Sequence, residues 1–450
     1  MTSPAREAAL EALAAARRRH AYVAPLAEQA ARRRGLDPAD HAMCVLLAKG
    51  VTRTVGTLDE AIGRYTKVER IEPAVLDVLR LAAFELLFLK TSPHAAVNEA
   101  VEAAKRRRVQ AAKLVNAVLR RLAEEAPQFP WGDPATERDA LSRLHGVPRW
   151  LLDAFVQDLG QDPTLEALSS LSVEPPLFAR VNRLVADRDE LFAELAASGI
   201  AVQQAPPDDL SFCVPEPAAF VHSDALAAER AFVCDSAAQF VALQAARPSV
   251  STVLEVGAGR GTKTLVYLGA FHALGVHPRT VAVEPAAWRA RIWAERLERA
   301  GIHEAEPIVA DVRTLAESAV LQAADVVLLD APCTGTGTLR RHPEAVWRLT
   351  PEDPGRLHQL QLDMLSAVAA CVPADGLLVY STCSVLRAEN EQVVAAFLDS
   401  RAGAGFRVEA LDPAPPAEWK RFVTPEGFFR SWPTVDGPDG HFVACLRRTA

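Results

Sequence analysis

The 450-residue sequence predicts an α/β fold. Its C-terminal half reads as a mostly parallel sheet with helices on both faces, preceded by an all-helical segment and a small α+β module. Three observations carry this. Short apolar runs at Val253–Val256, Thr280–Val283, Val326–Leu329 and Leu377–Tyr380 each end in a turn holding glycine, acid or cysteine, with alanine-rich helical stretches between them. The first run feeds the glycine-rich turn Gly257-Ala258-Gly259-Arg260-Gly261-Thr262, as strand-to-helix ligand sites do. The first 125 residues show helical periodicity without such runs.

In chain order, residues 1–125 form the helical domain. Leu76, Leu79, Ala83, Leu86 and Leu87 recur at helical spacing, and Pro73 suits a first turn. His94, Asn98 and Asn116 make a polar cluster expected to supply capping and helix-packing bonds, with no catalysis. Glu125 to Pro134, with three prolines and one glycine in ten residues, reads as a linker. Residues 135–235 hold a helical bridge and then the α+β module, where Pro206-Pro207 marks an exposed turn. Residues 236–450 hold the large sheet. Glu284 closes its second strand, Asp311 a third candidate strand from Pro307, and Asp330 a fourth. A carboxylate in the place of Glu284 can accept both hydroxyls of a ribose, and one in the place of Asp311 can accept from an adenine edge. The order of glycine turn, Glu284, Asp311 and Asp330 fits an adenosyl ligand without phosphate.

Two cysteines stand out among the seven. Cys333 lies in Asp330-Ala331-Pro332-Cys333-Thr334-Gly335 and Cys383 in Tyr380-Ser381-Thr382-Cys383-Ser384, each just after an apolar strand. Strand C-termini are where parallel sheets bind ligands. A lone cysteine there is usually a small buried hydrophobe, but two in such polar contexts point to covalent chemistry.

These motifs, with Arg340-Arg341-His342-Pro343-Glu344, Trp347, Glu389-Asn390-Glu391 and Asp439-Gly440-His441-Phe442, resemble the RNA cytosine-C5 methyltransferases that use S-adenosylmethionine. Pro175-Pro176-Leu177 and Arg180-Val181-Asn182 are similar to that family's entry segment. The N-terminal segment resembles the NusB-like RNA-binding domain through His41 to Arg53, Leu79 to Leu87, Pro93 to Val101 and Leu114 to Arg120. The pairing resembles the bacterial 16S rRNA methyltransferases of the RsmB/Sun type over nearly the whole chain. The resemblance implies a Rossmann-like S-adenosylmethionine-dependent methyltransferase domain. It implies Cys383 as nucleophile, Cys333 in adduct release and Asp330 at the cytosine N3/N4 edge, with Lys263 reaching into the site. It also implies a cofactor site of Glu255, Gly257, Ala258, Gly259, Arg260, Gly261, Thr262, Lys263, Glu284, Arg289, Asp311 and Asp330. One departure stands in the cofactor turn: Glu255 to Thr264 replaces the family's usual Asp-x-Cys-Ala-Ala-Pro-Gly-Gly-Lys-Thr, putting Arg260 where a proline is expected. A tRNA cytosine-C5 methyltransferase would share every catalytic residue. A non-catalytic RNA-binding assembly factor could keep the fold, but the intact cysteine pair argues against it.

Charge agrees with an RNA partner once divided. The net charge is −8, yet residues 1–125 carry roughly +6 and the remainder roughly −14 by count. Arg17-Arg18-Arg19, Arg32-Arg33-Arg34 and Lys105-Arg106-Arg107-Arg108 are the basic runs, expected to form a phosphate-contacting surface. The cysteines are scattered and lack metal-ligand spacing, which points to a reduced cytoplasmic setting and no metal. No window approaches a membrane span, and the first residues are too charged for a signal peptide.

Overall fold

A computed structural model describes residues 3–303, 305–315 and 323–449. It divides into two compact units, Met1–Gln157 with Leu339–Pro351, and Asp158–Thr338 with Glu352–Ala450.

The first unit is helical: α1 (Pro4–Arg19), α2 (Val23–Arg33), α3 (Pro38–Arg53), α4 (Val55–Gly63), α5 (Pro73–Leu87), α6 (Pro93–Arg107), α7 (Ala111–Glu125) and α8 (Arg138–His145). Four of them begin at a proline, whose fixed φ and missing N–H cost nothing in a first turn. Asp37 caps α3 by accepting from the Asp40 N–H at 2.9 Å. Helix α5 is buried almost all round, so it forms the axis of a core that includes Leu13, Leu47, Leu58, Val115 and Leu122. The expected linker is not free chain. Phe129 meets Phe88 and Trp131 edge to face, with ring centroids 5.1 and 5.2 Å apart, and Phe129 and Trp131 pack on the helical core; aromatic area outweighs the proline signal here. Leu339–Pro351 completes the unit. Its Trp347 Nε1 donates to the Arg53 carbonyl at 2.7 Å, and its ring lies so close to Gly56 that a Cβ there would sit 2.1 Å from it. Glu344 accepts from the Val23 N–H at 2.5 Å.

Helix α9 (Arg149–Leu159) runs from the first unit into the second, which continues with α10 (Gln161–Ser170). A four-stranded antiparallel sheet follows, built from β1 (Leu177–Val181), β2 (Gln203–Gln204), β3 (Ser211–Val214) and β4 (Ala231–Val233) in the order β2-β3-β1-β4. Its connections hold α11 (Arg188–Ala197), α12 (Pro217–Phe220) and α13 (Asp224–Ala227). Arg180, from the expected entry segment, is structural. Its guanidinium bridges Asp208 at 2.8 Å twice and the Gln239 side chain at 3.1 Å.

The large sheet follows. In chain order come α14 (Ser236–Leu243), β5 (Thr252–Val256), α15 (Thr262–Ala273), β6 (Arg279–Val283), α16 (Ala287–Arg299), β7 (Ala305–Ile308), β8 (Val326–Asp330), α17 (Asp353–Ala369), β9 (Leu377–Thr382), α18 (Glu391–Asp399), β10 (Phe406–Glu409), β11 (Phe429–Arg430) and β12 (Phe442–Arg448). The strand order is β10-β12-β9-β8-β5-β6-β7, with β11 beside β12. Strands β5 to β9 are mutually parallel, whereas β12 runs antiparallel to β9. The order reverses between β5 and β8, a topological switch point where such sheets open a crevice. Alternation along the strands assigns the faces. Val253, Val326, Leu328, Leu377 and Val379 pack with α14 and α15, and Leu254, Val327, Leu329, Leu378 and Tyr380 with α17 and α18. The third candidate strand ends at Ile308, so Asp311 lies three residues beyond it and caps a short helical turn.

Candidate active site

Register builds the site. Strands β8 and β9 pair in parallel with Asp330 opposite Ser381, so the loops that leave them run side by side and bring their cysteines together. The Cys333 and Cys383 sulfurs lie 3.1 Å apart, and both thiols are free and half-buried. The Cys383 N–H also points at the Cys333 sulfur, at 3.3 Å. The hydrogen bond between the thiols holds Cys383 below the ordinary thiol pKa, against the opposing effect of burial. The same bond, together with burial, pushes Cys333 well above it. Either sulfur can donate in this contact, and of the two it is Cys383 whose pKa is held down, toward the thiolate that a nucleophilic cysteine needs.

Lys263 and Asp330 stand beside this pair. The Lys263 ammonium donates to Asp330 Oδ2 at 2.6 Å, and the Ser381 hydroxyl to Oδ1 at 3.1 Å. Burial would depress Lys263, but the Asp330 charge and hydrogen bond outweigh it and hold the ammonium above its usual pKa. Lys263 is therefore a fixed cation that also lowers Cys383.

A buried carboxylate that sequence reasoning gave no role fastens the two cysteine loops. Glu389 Oε1 accepts from the Thr334 N–H at 2.8 Å and from Gln361 Nε2 at 3.3 Å. Its Oε2 accepts from the Thr334 hydroxyl at 2.5 Å and the Ser384 hydroxyl at 2.6 Å. Thr334 follows Cys333 and Ser384 follows Cys383, so one side chain ties both loops. Burial raises the Glu389 pKa against these four bonds. Gln361 also donates to the Pro332 carbonyl at 2.9 Å. The available signal was Glu389-Asn390-Glu391 among the motifs; nothing in its spacing says that it faces the loop after β8.

On the other side of the switch point, Gly257, Gly259 and Gly261 all take left-handed φ, at 80°, 59° and 83°. A Cβ on Gly257 would stand 2.3 Å from the Asp330 carbonyl oxygen, so only glycine lets β5 and β8 close here. Above Gly259 the space is open: a Cβ would meet nothing nearer than the Gly257 carbonyl at 3.9 Å. Glu284, directly after β6, accepts from the Gly259 and Ala286 N–H groups at 3.0 Å each, which aligns its carboxylate beside the turn. Ala258 is buried, and Thr262 opens α15 after Gly261.

Four further residues of the expected cofactor site, Glu255, Arg260, Arg289 and Asp311, have partners of their own. Glu255 alternates with Val253 and so faces α15, fully buried, accepting from the Thr264 hydroxyl at 2.5 Å and the Tyr267 hydroxyl at 2.9 Å. Its other oxygen has no hydrogen-bond partner among the described residues, and burial pushes its pKa up to about 7. It acts as a strut under the turn instead of a contact on the open side. Arg260 and Arg289 are exposed and lie over the Trp288 ring, 5.1 and 5.3 Å from its centroid, and Arg289 also pairs with Glu284 at 3.9 Å. Asp311 is tied to Arg313, Nη2 to Oδ2 at 2.6 Å, which lowers its pKa.

In the helical unit the basic runs are partly neutralised. Arg17 pairs with Asp77, Arg33 and Arg34 with Glu11, Arg106 and Arg107 with Glu7, and Arg108 with Glu72. Among the described residues no helix is long and apolar enough to cross a membrane.

Comparison with known proteins agrees with this anatomy. Residues 242–447 match the 16S rRNA methyltransferase RsmB/F family, residues 3–124 the NusB family and residues 147–218 the ferredoxin-like domain of RsmF/B-like methyltransferases. The chain is 30% identical to a probable ribosomal RNA small subunit methyltransferase B of Bacillus subtilis, covering 98% of each. It is 33% identical to ribosomal RNA small subunit methyltransferase B of Thermus thermophilus, covering 94% of this chain and 92% of the relative. Among solved structures, that of PH0851 superposes with a TM-score of 0.81 at 23% identity over 100% of this chain and 99% of the other, a shared fold. With matched domains in sequence and near-complete alignment to these relatives, the chain belongs to the 16S rRNA methyltransferase RsmB/F family.

Proposed function

We propose that the protein transfers the methyl group of S-adenosylmethionine to C5 of a cytosine in small-subunit ribosomal RNA, through a covalent bond between Cys383 and C6. The observation that carries this reading is the thiol pair, 3.1 Å apart at the ends of β8 and β9 beside the Lys263–Asp330 ion pair. Cytosine C5 is a poor nucleophile until a thiolate adds to C6 and makes the ring an enamine. Cys383 has the depressed pKa for that addition, and Asp330 is suited to the N3/N4 edge of the ring. Once C5 carries the methyl group, the C5 proton leaves to a base. The electrons of that C–H bond re-form the C5–C6 double bond, and the Cys383 thiolate departs with help from Cys333.

The glycine turn fits the cofactor. Its open space above Gly259 and the aligned Glu284 carboxylate suit a ribose diol, and the turn brings no phosphate-binding lysine, since Lys263 is held by Asp330. When bound there, S-adenosylmethionine supplies an electrophilic methyl on a sulfonium. Gly257, Ala258, Gly259, Gly261 and Thr262 form the backbone cradle in this reading, with Glu284 at the ribose and Asp311 toward the adenine.

The reading is tested with small-subunit RNA carrying tritium at cytosine C5. Methyl transfer should release tritium to water one for one; transfer without release would place the methyl group elsewhere and overturn C5 chemistry. Run in parallel on tRNA, the assay separates the two RNA substrates. For the cofactor site, Glu284→Ala should weaken S-adenosylmethionine binding roughly ten- to a hundred-fold, the cost of removing a charged acceptor. An unchanged dissociation constant by calorimetry would take Glu284 out of the site.

A further inference from the structure

Helices α6 and α7 are joined by Arg108–Gln110 and form a helical hairpin. Ala96, Ala100 and Ala104 of α6, with Val115, Leu119 and Leu122 of α7, go to the core. Beside that seam runs a second stripe at helical spacing, where His94, Asn98, Asn116 and Arg120 line a cleft of about 390 Å³ over Val97 and Val101. The sequence assigned His94, Asn98 and Asn116 to capping and packing bonds. The structure gives them none: among the described residues, no side-chain hydrogen bond or ion pair engages these three or Arg120. Ser92, in place of His94, stands at the N-cap of α6, and even it makes no side-chain capping bond.

Two carboxamides offer four N–H donors and two carbonyl acceptors. Set over two valines in a cleft of this volume, they match a planar heterocycle with a donor–acceptor edge. The charge around them selects the ligand further. Arg120 lines the cleft, and Lys113 and Arg121 are exposed on the same helix, likewise without an ion-pair partner among the described residues. Glu124 is the acidic residue of the lining. Arg120 and Glu124 balance in the lining itself, and Lys113 and Arg121 add exposed positive charge along α7, as a polyanion requires.

We propose that the α6–α7 cleft receives one unpaired nucleobase of RNA, with Asn98 and Asn116 reading its edge, Val97 and Val101 under its face and Arg120 at the adjoining phosphate. This rests on the RNA substrate proposed above and adds a second point of contact, distinct from the target cytosine. Sequence-specific RNA readers take splayed-out bases in this way, on their exposed edges.

The test uses the full chain and a fluorescein-labelled single-stranded RNA, with a matched RNA carrying abasic riboses, followed by anisotropy over a salt series. All the substituted side chains are exposed or half-buried, and an unchanged thermal midpoint confirms that each variant folds. Asn98→Ala with Asn116→Ala should weaken binding roughly ten-fold with the salt slope unchanged, and should narrow the difference between intact and abasic RNA. Arg120→Ala should weaken binding and reduce the salt slope by about one. Wild-type affinity in the double variant overturns the proposal. So does a variant that binds free RNA normally but loses binding to assembled small subunits, which would make the cleft a protein-docking site. If the wild type itself neither binds nor methylates RNA, the proposed function fails first.

Discussion

Cys383→Ala should lose both methyl transfer and any covalent RNA complex, whereas Cys333→Ala should still attach to RNA and accumulate the attached form. The difference follows from the shared hydrogen bond. In the proposed mechanism Cys383, held below the ordinary thiol pKa, is the sulfur that attacks, and Cys333, pushed above it, serves in release. A denaturing gel with labelled RNA separates the outcomes, since only the Cys333 variant should show a shifted band containing methylated cytosine. A shifted band from Cys383→Ala and none from Cys333→Ala would move the nucleophile to the Pro-Cys loop. The same geometry gives a pH signature. Removing the Cys333 thiol raises the Cys383 pKa, so the pH at which Cys383 alkylates in the free protein should move upward in Cys333→Ala.

The second large effect is expected at Glu389, a positioning residue. Glu389→Ala leaves the Thr334 N–H and the Thr334 and Ser384 hydroxyls without their acceptor in a buried place, at a cost of about 1–3 kcal/mol for each group left unpaired. Some of that loss will be stability. Glu389→Gln isolates the positional part: it preserves volume but turns one acceptor oxygen into a donor facing other donors. The loops should part, the bond between the sulfurs should lengthen, and Cys383 should lose its thiolate bias. Adduct formation at neutral pH should fall and alkylation should move to higher pH, with cofactor affinity retained. An alkylation profile identical to wild type in a folded Glu389→Gln protein would show that Glu389 does not set the thiol pair.

The sheet was legible because its strands are short apolar runs ended by functional residues, and burial on both faces demands that pattern. Cys333, Cys383, Asp330 and Lys263 were legible from local motifs, and the parallel register of β8 and β9 brings them together. Glu255 was misread for a physical reason. A strand residue alternates sides, and nothing in Glu255-Val256-Gly257 tells which face carries α15; Thr264 and Tyr267 reveal it only once the helix is placed. Asp311 was put at a strand end because Val309 and Ala310 continue the small, apolar character of Ile308, although the pairing with β6 stops there. Glu389 was missed because its partners come from loops some fifty residues away as well as nearby, a relation that no local spacing encodes. The linker misled through composition, since its three prolines and Gly132 mask the packing that Phe129 and Trp131 supply.

The excursion of Leu339–Pro351 carries a consequence for biosynthesis. A ribosome delivers α1 to α8 long before this segment, yet Trp347 is the donor to the Arg53 carbonyl and Glu344 the acceptor for the Val23 N–H. The nascent helical unit must therefore wait with Gly56 and the Val23 N–H open to water until the strand ending at Asp330 and the loop of Cys333 have already emerged. The helical unit reaches its final form only after part of the sheet has been made, so the N-terminal helices cannot finish folding in the order in which domains are usually synthesised.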